Sequence, residues 1–281
     1  MDKLNLAAWT GNAITEVGEV SVQLANQIIA TLGDDRTDDA KERAYLSPLW
    51  HWCAFPSTTA QVNLGRDGHA RLGGFMPPLH FGRRMWAGGA LRFHTPLQIG
   101  EILQRRTVLR SIVEKEGKAG PMILVTLDHA IYGERGLAIE ERQDIVYLDI
   151  PERYIPPKAI PMPQTGDVVC AVETPETLLF RYSALTFNAH RIHYDKDYAQ
   201  RIEHYPGLVI HGPLQAAFLM QHAVAFKGRV PSDFHFRGVH PMFSDHNLDI
   251  VGVAQDGGLE ICTGQLGHQG MQATVLWEDT V

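Results

Sequence analysis

FRYSALTFNAHRIHYDKDYAQRIEHYPGLVIHGPLQAAFL, residues 180–219, is the stretch on which the rest of the chain turns. Asn188 and His193 sit five residues apart in a short polar loop between two apolar runs. His211-Gly212-Pro213 then opens an apolar segment, Gly212–Phe226, that reads as a buried helix with its proline in the permissive first turn. A histidine, a fixed amide and a backbone N–H at a helix start are the parts needed to add water across a polarised double bond.

Downstream of this helix the pattern is β. Strands are expected around Phe234–Val239, Leu248–Ala254, Leu259–Thr263 and Gln272–Trp277, with Asp256-Gly257-Gly258 as a hairpin turn. Upstream, Leu178–Leu185 reads as a strand and Lys196–His204 as a short helix. Five prolines, at 151, 156, 157, 161 and 163, mark an extended linker, because proline cannot sit inside a helix or a central strand. The domain boundary is placed there: 1–150, a linker 151–164, and 165–281.

The first part repeats the theme. Val20–Leu32 offers one amphipathic helix, and the acidic Asp34–Glu42 reads as an exposed turn. A Gly/Pro-rich loop runs from Gly65 to Pro78 and leads to Arg83–Gly89, with Phe75, Met76, Met85 and Trp86 too apolar for disorder. Ile102–Glu114, Met122–Tyr132 and Leu137–Leu148 read as strands, the first two joined by the turn Gly117–Pro121. Several antiparallel strands thus close each part, one of them after a long apolar helix. The expected class is α+β, a twisted antiparallel sheet wrapped round a central helix, used twice.

Composition narrows the function. The chain has 281 residues, 44% of them hydrophobic, which is enough for a sizeable core. Its net charge of −7 argues against a nucleic-acid partner. Arginine clusters at 83–84 and 105–106, with Arg110, still leave room for an anionic small molecule. Three dispersed cysteines (Cys53, Cys170, Cys262) fit a reducing compartment, not a disulfide scaffold or zinc site. No secretory signal is visible, and no apolar run approaches the ~20 residues that span a bilayer. A cytoplasmic enzyme without a membrane partner is expected.

The quoted stretch resembles the MaoC-like acyl-thioester hydratases and dehydratases, through the loop Asn188–Asp195 and the helix start His211-Gly212-Pro213-Leu214. The string FNAHRIHYD looks closest to the branch of type-2 hydroxyacyl-thioester dehydratases and mesaconyl-C4-CoA hydratases. DGHARLGGFMPP (67–78), RRMWAGG (83–89) and EERQDIVYL (140–148) resemble that branch's N-terminal, dehydratase-like part. The resemblance implies a double hotdog fold, a catalytic second half and a pocket-forming first half. It also implies an acyl-CoA hydratase acting on a short branched dicarboxylic enoyl-CoA, itaconyl-CoA or mesaconyl-C4-CoA, to give citramalyl-CoA in itaconate degradation. The alternatives are a dehydratase of type-II fatty acid synthesis, a hotdog thioesterase and an acyl-CoA binding module. A homodimer is compatible with the fold. In the wider family pattern the loop opens with Asp; here Asn188 stands in its place and cannot titrate.

The candidate residues carry plainer readings beside the catalytic ones. His193 suits acid/base work, or a hydrogen bond within its loop. Asn188 can orient water or shape a turn. Gly212 N–H can hold an oxyanion, or the glycine can serve packing alone. Asp195 is a natural N-cap or an orienter of His193. His190 and His193 are spaced as a metal pair, but no third ligand of suitable spacing is near, so neither metal nor organic cofactor is expected; the CoA thioester is substrate. Arg83, Arg84 and Trp86 can meet a substrate carboxylate or CoA phosphates, or form a solvated turn with a core Trp. His211, packing beside the helix start, and Tyr182 complete the substrate-binding candidates.

Overall fold

The computed structural model describes residues 5–33, 39–117 and 120–278. Parts of two expected turns, at 34–38 and 118–119, lie outside the described residues. Ten strands form one sheet: β1 (Ala13–Glu19), β2 (Arg83–Phe93), β3 (Ile102–Gly117), β4 (Gly120–Gly133), β5 (Gly136–Leu148), β6 (Val168–Val172), β7 (Asp233–Gly238), β8 (Leu248–Gln255), β9 (Gly258–Gln265) and β10 (His268–Leu276). Their order is β1-β3-β4-β5-β2-β7-β10-β9-β8-β6, antiparallel throughout. Read outward from the β2–β7 seam, both halves have the same topology: an inner strand, a three-strand meander run backwards, then the half's first strand at the edge. The two expected sheets therefore join edge to edge.

The seam depends on close backbone approach. Gly88 to Arg92 of β2 pairs with Arg237 to Asp233 of β7. A Cβ on Gly88 would lie 2.5 Å from the carbonyl oxygen of Phe236. A bulge between Trp86 and Gly88 lets β2 turn into this contact, and the Trp86 indole N–H caps it by donating to the Gly88 carbonyl at 2.8 Å.

Among the described residues four α-helices lie between the strands: α1 (Val22–Leu32), α2 (Glu176–Leu185), α3 (Lys196–Arg201) and α4 (Gly212–Lys227). α4 is apolar on most sides because it is enclosed on most sides: Leu214, Ala216, Leu219 and Ala223 are completely buried against β9, β10 and the seam strands. It ends at Gly228, which takes the left-handed conformation (φ 73°) and donates to the Val224 carbonyl. The first half has no helix of comparable length among the described residues. There the matching segment is irregular, with a 3-10 turn, Trp50–Cys53, that buries Trp50, His51 and Cys53. Glu141 on β5 anchors this turn, accepting from Trp52 Nε1 at 2.9 Å and meeting His51 Nε2 at 3.1 Å. Burial opposes ionisation of Glu141, but His51 prevails and holds it down to about 2.

Several expectations are corrected. Leu178–Leu185 is helix α2, not a strand: Leu179, Tyr182 and Leu185 recur at helical spacing on the buried side. Met85 and Trp86, expected beside the Gly/Pro-rich loop, lie in the central strand β2, which starts at Arg83, and β1 and β6 are additional. The proline-rich segment is not free; Met162 N–H donates to Gly267 and Gln269 N–H to Ile160, fastening it along the β9–β10 hairpin. The main core runs across the seam, combining Ile28, Leu91 and Leu103 with Leu214, Leu219 and Phe234. A smaller core joins β3–β5 to the 72–81 segment through Leu72, Phe75, Leu79 and Tyr147.

Replacing Gly88 by Ala forces backbone apart at the seam and is expected to lower stability by about 1–3 kcal/mol. The shift of the urea midpoint at unchanged slope measures it.

Candidate active site

The loop after α2 is held by its own polar groups. Asn188 N–H donates to the Ser183 carbonyl at 2.8 Å, and Asn188 Oδ1 accepts from His190 N–H at 3.0 Å. The asparagine thus closes an Asx turn. A 3-10 turn, Arg191–His193, follows, and Asp195 caps α3 by accepting from Tyr198 N–H at 3.0 Å. Arg191 Nη2 donates to the same carboxylate at 2.7 Å. These two donors, the Tyr198 N–H foremost, lower the pKa of Asp195. No bond joins Asp195 to His193.

This loop drives His193 inward until 7% of it is exposed. Its Nδ1 lies 2.7 Å from the Val209 carbonyl oxygen. A carbonyl only accepts, so Nδ1 carries the hydrogen and Nε2 presents a lone pair. The ring stacks on His211, with centroids 3.6 Å apart and planes 19° apart. Burial foremost, then the neighbouring His211 and His190, push the pKa of His193 well below its ordinary value. Burial likewise takes His211 down to about 3. His193 is therefore neutral, and able to accept a proton, at neutral pH.

His211 ends the Val209–Ile210 segment, which Ile210 N–H fixes to the Met242 carbonyl at 2.8 Å. It is the N-cap of α4, yet its side chain does not cap the helix; Nε2 meets Ser183 Oγ at 2.8 Å instead. The Gly212 N–H is left directed out of the first turn, at the positive end of the helix dipole. Packing does not explain this glycine. An added Cβ would make ordinary contacts of 3.8 Å with Met271 Cε and the Trp86 carbonyl oxygen. Gln215, one turn on, locks the helix start to the sheet by accepting from Thr263 Oγ1 at 2.7 Å.

The substrate-binding candidates separate. Arg83 is buried, with Nε 2.9 Å from Glu203 Oε2, a second bond to the Glu203 carbonyl, and the guanidinium over the Tyr205 ring. It is a structural ion pair, not a solvated turn. Arg84 points to the opposite face of β2, half-buried and beside Tyr147. Trp86 meets Trp52 and Phe236 edge-on, at 5.0 and 5.9 Å. Tyr182 is 3% exposed and packs edge-on against His211 at 5.1 Å.

Sequence reasoning gave no role to Asp67, His69 or Glu203. The 65–70 loop of the first half docks on the 188–195 loop of the second. Arg191 N–H donates to the Asp67 carbonyl at 2.9 Å, and Gly68 fits so closely that a Cβ there would strike the Ala189 carbonyl oxygen. His69 Nδ1 lies 2.8 Å from Asp67 Oδ2, its ring 4.3 Å from His190, and His190 stands edge-on to His193 at 5.3 Å. Burial opposes ionisation of Asp67, but His69 wins and lowers it; burial takes His69 down to about 4 against the pull of Asp67. The string DGHARLGG carried the only sequence signal, and it lies far from His190 along the chain. Potential ligand atoms of Asp67, His69 and His190 fall within 4.8 Å of one another, so a third ligand type does come near His190 in space. Both Asp67 oxygens already accept from His69, whose backbone N–H reaches Oδ1 at 3.1 Å. Two open hollows of about 450 and 360 Å³ lie elsewhere on the sheet, and none of the site residues above lines them. No helix among the described residues is long and apolar enough to cross a membrane.

The family model "Hydroxyacyl-thioester dehydratase type 2" matches residues 49–244. Mesaconyl-C(4)-CoA hydratase of Chloroflexus aurantiacus is 44% identical over 246 residues, 86% of this chain and 87% of that one. Mitochondrial hydroxyacyl-thioester dehydratase type 2 of Schizosaccharomyces pombe is 32% identical over 253 residues, 80% of this chain and 83% of that one. Among solved structures, a MaoC-like dehydratase superposes with a TM-score of 0.72 at 15% identity, over 98% of this chain and 100% of the other. A Mycobacterium tuberculosis protein described as a double hotdog fold gives 0.58 at 14% identity, over 95% of each chain. At these identities the structures establish the fold, a double hotdog, and the related sequences make the protein a hydro-lyase. The chain belongs to the type-2 hydroxyacyl-thioester dehydratase family.

Proposed function

We propose that the protein is an acyl-CoA hydratase that adds water to a short branched dicarboxylic enoyl-CoA, itaconyl-CoA or mesaconyl-C4-CoA, forming citramalyl-CoA. The observation that supports the chemistry is a buried, neutral His193 with its Nε2 open, stacked on the residue that precedes the Gly212 N–H. The identity of 44% to a mesaconyl-C4-CoA hydratase supports the acyl class. His193 Nε2 takes a proton from water as the oxygen bonds to the β-carbon. The π electrons pass to the thioester, whose oxygen the Gly212 N–H holds, and His193 returns the proton to the α-carbon. Asn188 Oδ1 uses one lone pair to hold its turn, and the amide N–H groups supply the donors that place the water. These steps use side chains and backbone alone, without metal or organic cofactor. Asp195 serves the loop by capping α3, His211 and Tyr182 back His193, and the first half lends pocket walls around Trp86. Because Arg83 is committed to Glu203, Arg84 is the arginine left for a substrate carboxylate or a CoA phosphate.

A second reading, dehydration of a 3-hydroxyacyl thioester, is favoured by the family model and uses the same groups in reverse.

With mesaconyl-C4-, itaconyl- and crotonyl-CoA as substrates, mass spectrometry of the wild type is expected to show +18 Da on the dicarboxylic thioesters. His193→Ala should lower kcat/KM about 10²–10⁴-fold. Turnover of crotonyl-CoA alone would contradict the acyl assignment, and release of free CoA the reaction type. Gly212→Pro keeps a residue suited to a first helical turn but deletes the N–H, and is expected to cost about 10²–10³ in kcat. Because the pKa of His193 is depressed and the base acts in its neutral form, kcat/KM should stay flat from pH 8 to below 6.5. Any acid limb lies lower.

A further inference from the structure

A base that accepts a proton in a buried site becomes a buried cation, and a counter-charge must hold it. Asn188 is neutral and cannot be that charge. Three carboxylates stand near the loop. Asp195 is turned to Arg191 and the start of α3. Glu203 holds the Arg83 guanidinium through Oε2, so its charge is already offset by a cation. His211, Ser183 and Tyr182 on the other side of His193 carry no charge, and the nearby cation, Arg84, acts on His69 by lowering its pKa. Of the three carboxylates, Asp67 alone has no guanidinium partner: its oxygens accept from His69, Oδ1 from the backbone N–H and Oδ2 from the ring Nδ1.

Ring packing joins this imidazole to the site. His69 packs on His190 and His190 on His193, so the three rings are in unbroken contact. His190 Nε2 is buried without a hydrogen-bond partner, 3.6 Å from an equally unpartnered Glu203 Oε1. The arrangement survives only because Gly68 permits the loop to touch Ala189 and Arg191 ties it down through the carbonyls of Asp67 and Arg66.

We propose that Asp67, acting through His69 and His190, is the carboxylate that stabilises the imidazolium formed on His193, so that the first half supplies the charge which position 188 does not. Asp67 is a positioning residue here; the proton passes only between water, His193 Nε2 and the α-carbon. The inference rests on His193 being the base.

The test is a double-mutant cycle of Asp67→Asn and Asn188→Asp on the full chain, hydrating mesaconyl-C4-CoA, with His69→Gln as a second probe of the same path. Asp67→Asn and His69→Gln are each expected to lower kcat about tenfold to hundredfold, with KM within about twofold. In both, the acid limb of kcat should move to lower pH, since one pKa unit of base strength is worth a factor of ten. Adding Asn188→Asp to Asp67→Asn should recover much of the loss. Unchanged kcat and limb in Asp67→Asn would overturn the proposal. So would a loss in kcat with the limb unmoved and no recovery from Asn188→Asp, because that marks a purely structural role. Full activity of His193→Ala would instead overturn the assignment of the base itself.

Discussion

One hydrogen bond, from His193 Nδ1 to the carbonyl of Val209 at 2.7 Å, sets the chemistry of this site. It chooses the tautomer, turns the ring and leaves the Nε2 lone pair to accept a proton. The acceptor is held in turn: Val209 N–H donates to Ile192 beside the histidine, and Val209 bridges to Phe243. The same segment leads through His211 into the uncapped start of α4. The proposed base and the proposed oxyanion donor are therefore fixed by one short piece of chain. A shift in that piece would move both together, which preserves their relation at the reacting carbons.

The duplicated architecture makes this possible. A single hotdog half would leave β7 as an open edge and the catalytic loop uncovered. Pairing β2 with β7 closes the edge, sets the Trp86 carbonyl beside Gly212 and brings the 65–70 loop onto Ala189 and Arg191. The halves have diverged at the place of the long helix. In the second half α4 fills the sheet's concavity and presents its N-terminus; in the first, the irregular Trp50–Cys53 segment lies there, tied to Glu141. Burying Arg83 against Glu203 carries a desolvation cost, and it secures the α3 region against β2.

Legibility in the sequence followed the range of the interactions. α4 could be read because its apolar run, its proline near the start and the glycine after its end are local signals. The meander strands β3–β5 and β8–β10 could be read from long apolar alternation and turn residues. α2 was misread because its aromatic and apolar residues also fit a strand, and only the contact with the loop and α1 selects the helix. β2 was hidden by its glycines and arginines. The glycines serve the close approach at the seam and Arg83, at the start of the strand, finds Glu203, and neither partner is near in sequence. The His193 loop and Gly212 were legible as a pattern. The role of Asn188 as a turn-former emerged from one backbone contact, and the Asp67–His69 pair emerged only from tertiary docking.

The account stands on His193 being a neutral base of one defined tautomer, and imidazole nitrogen NMR on the uniformly ¹⁵N-labelled protein measures that directly. At pH 7 the His193 ring is expected to show a protonated Nδ1 and an unprotonated Nε2, and to remain so as the pH is lowered past the ordinary histidine range. A proton on Nε2, or an imidazolium already formed at pH 7, would contradict it.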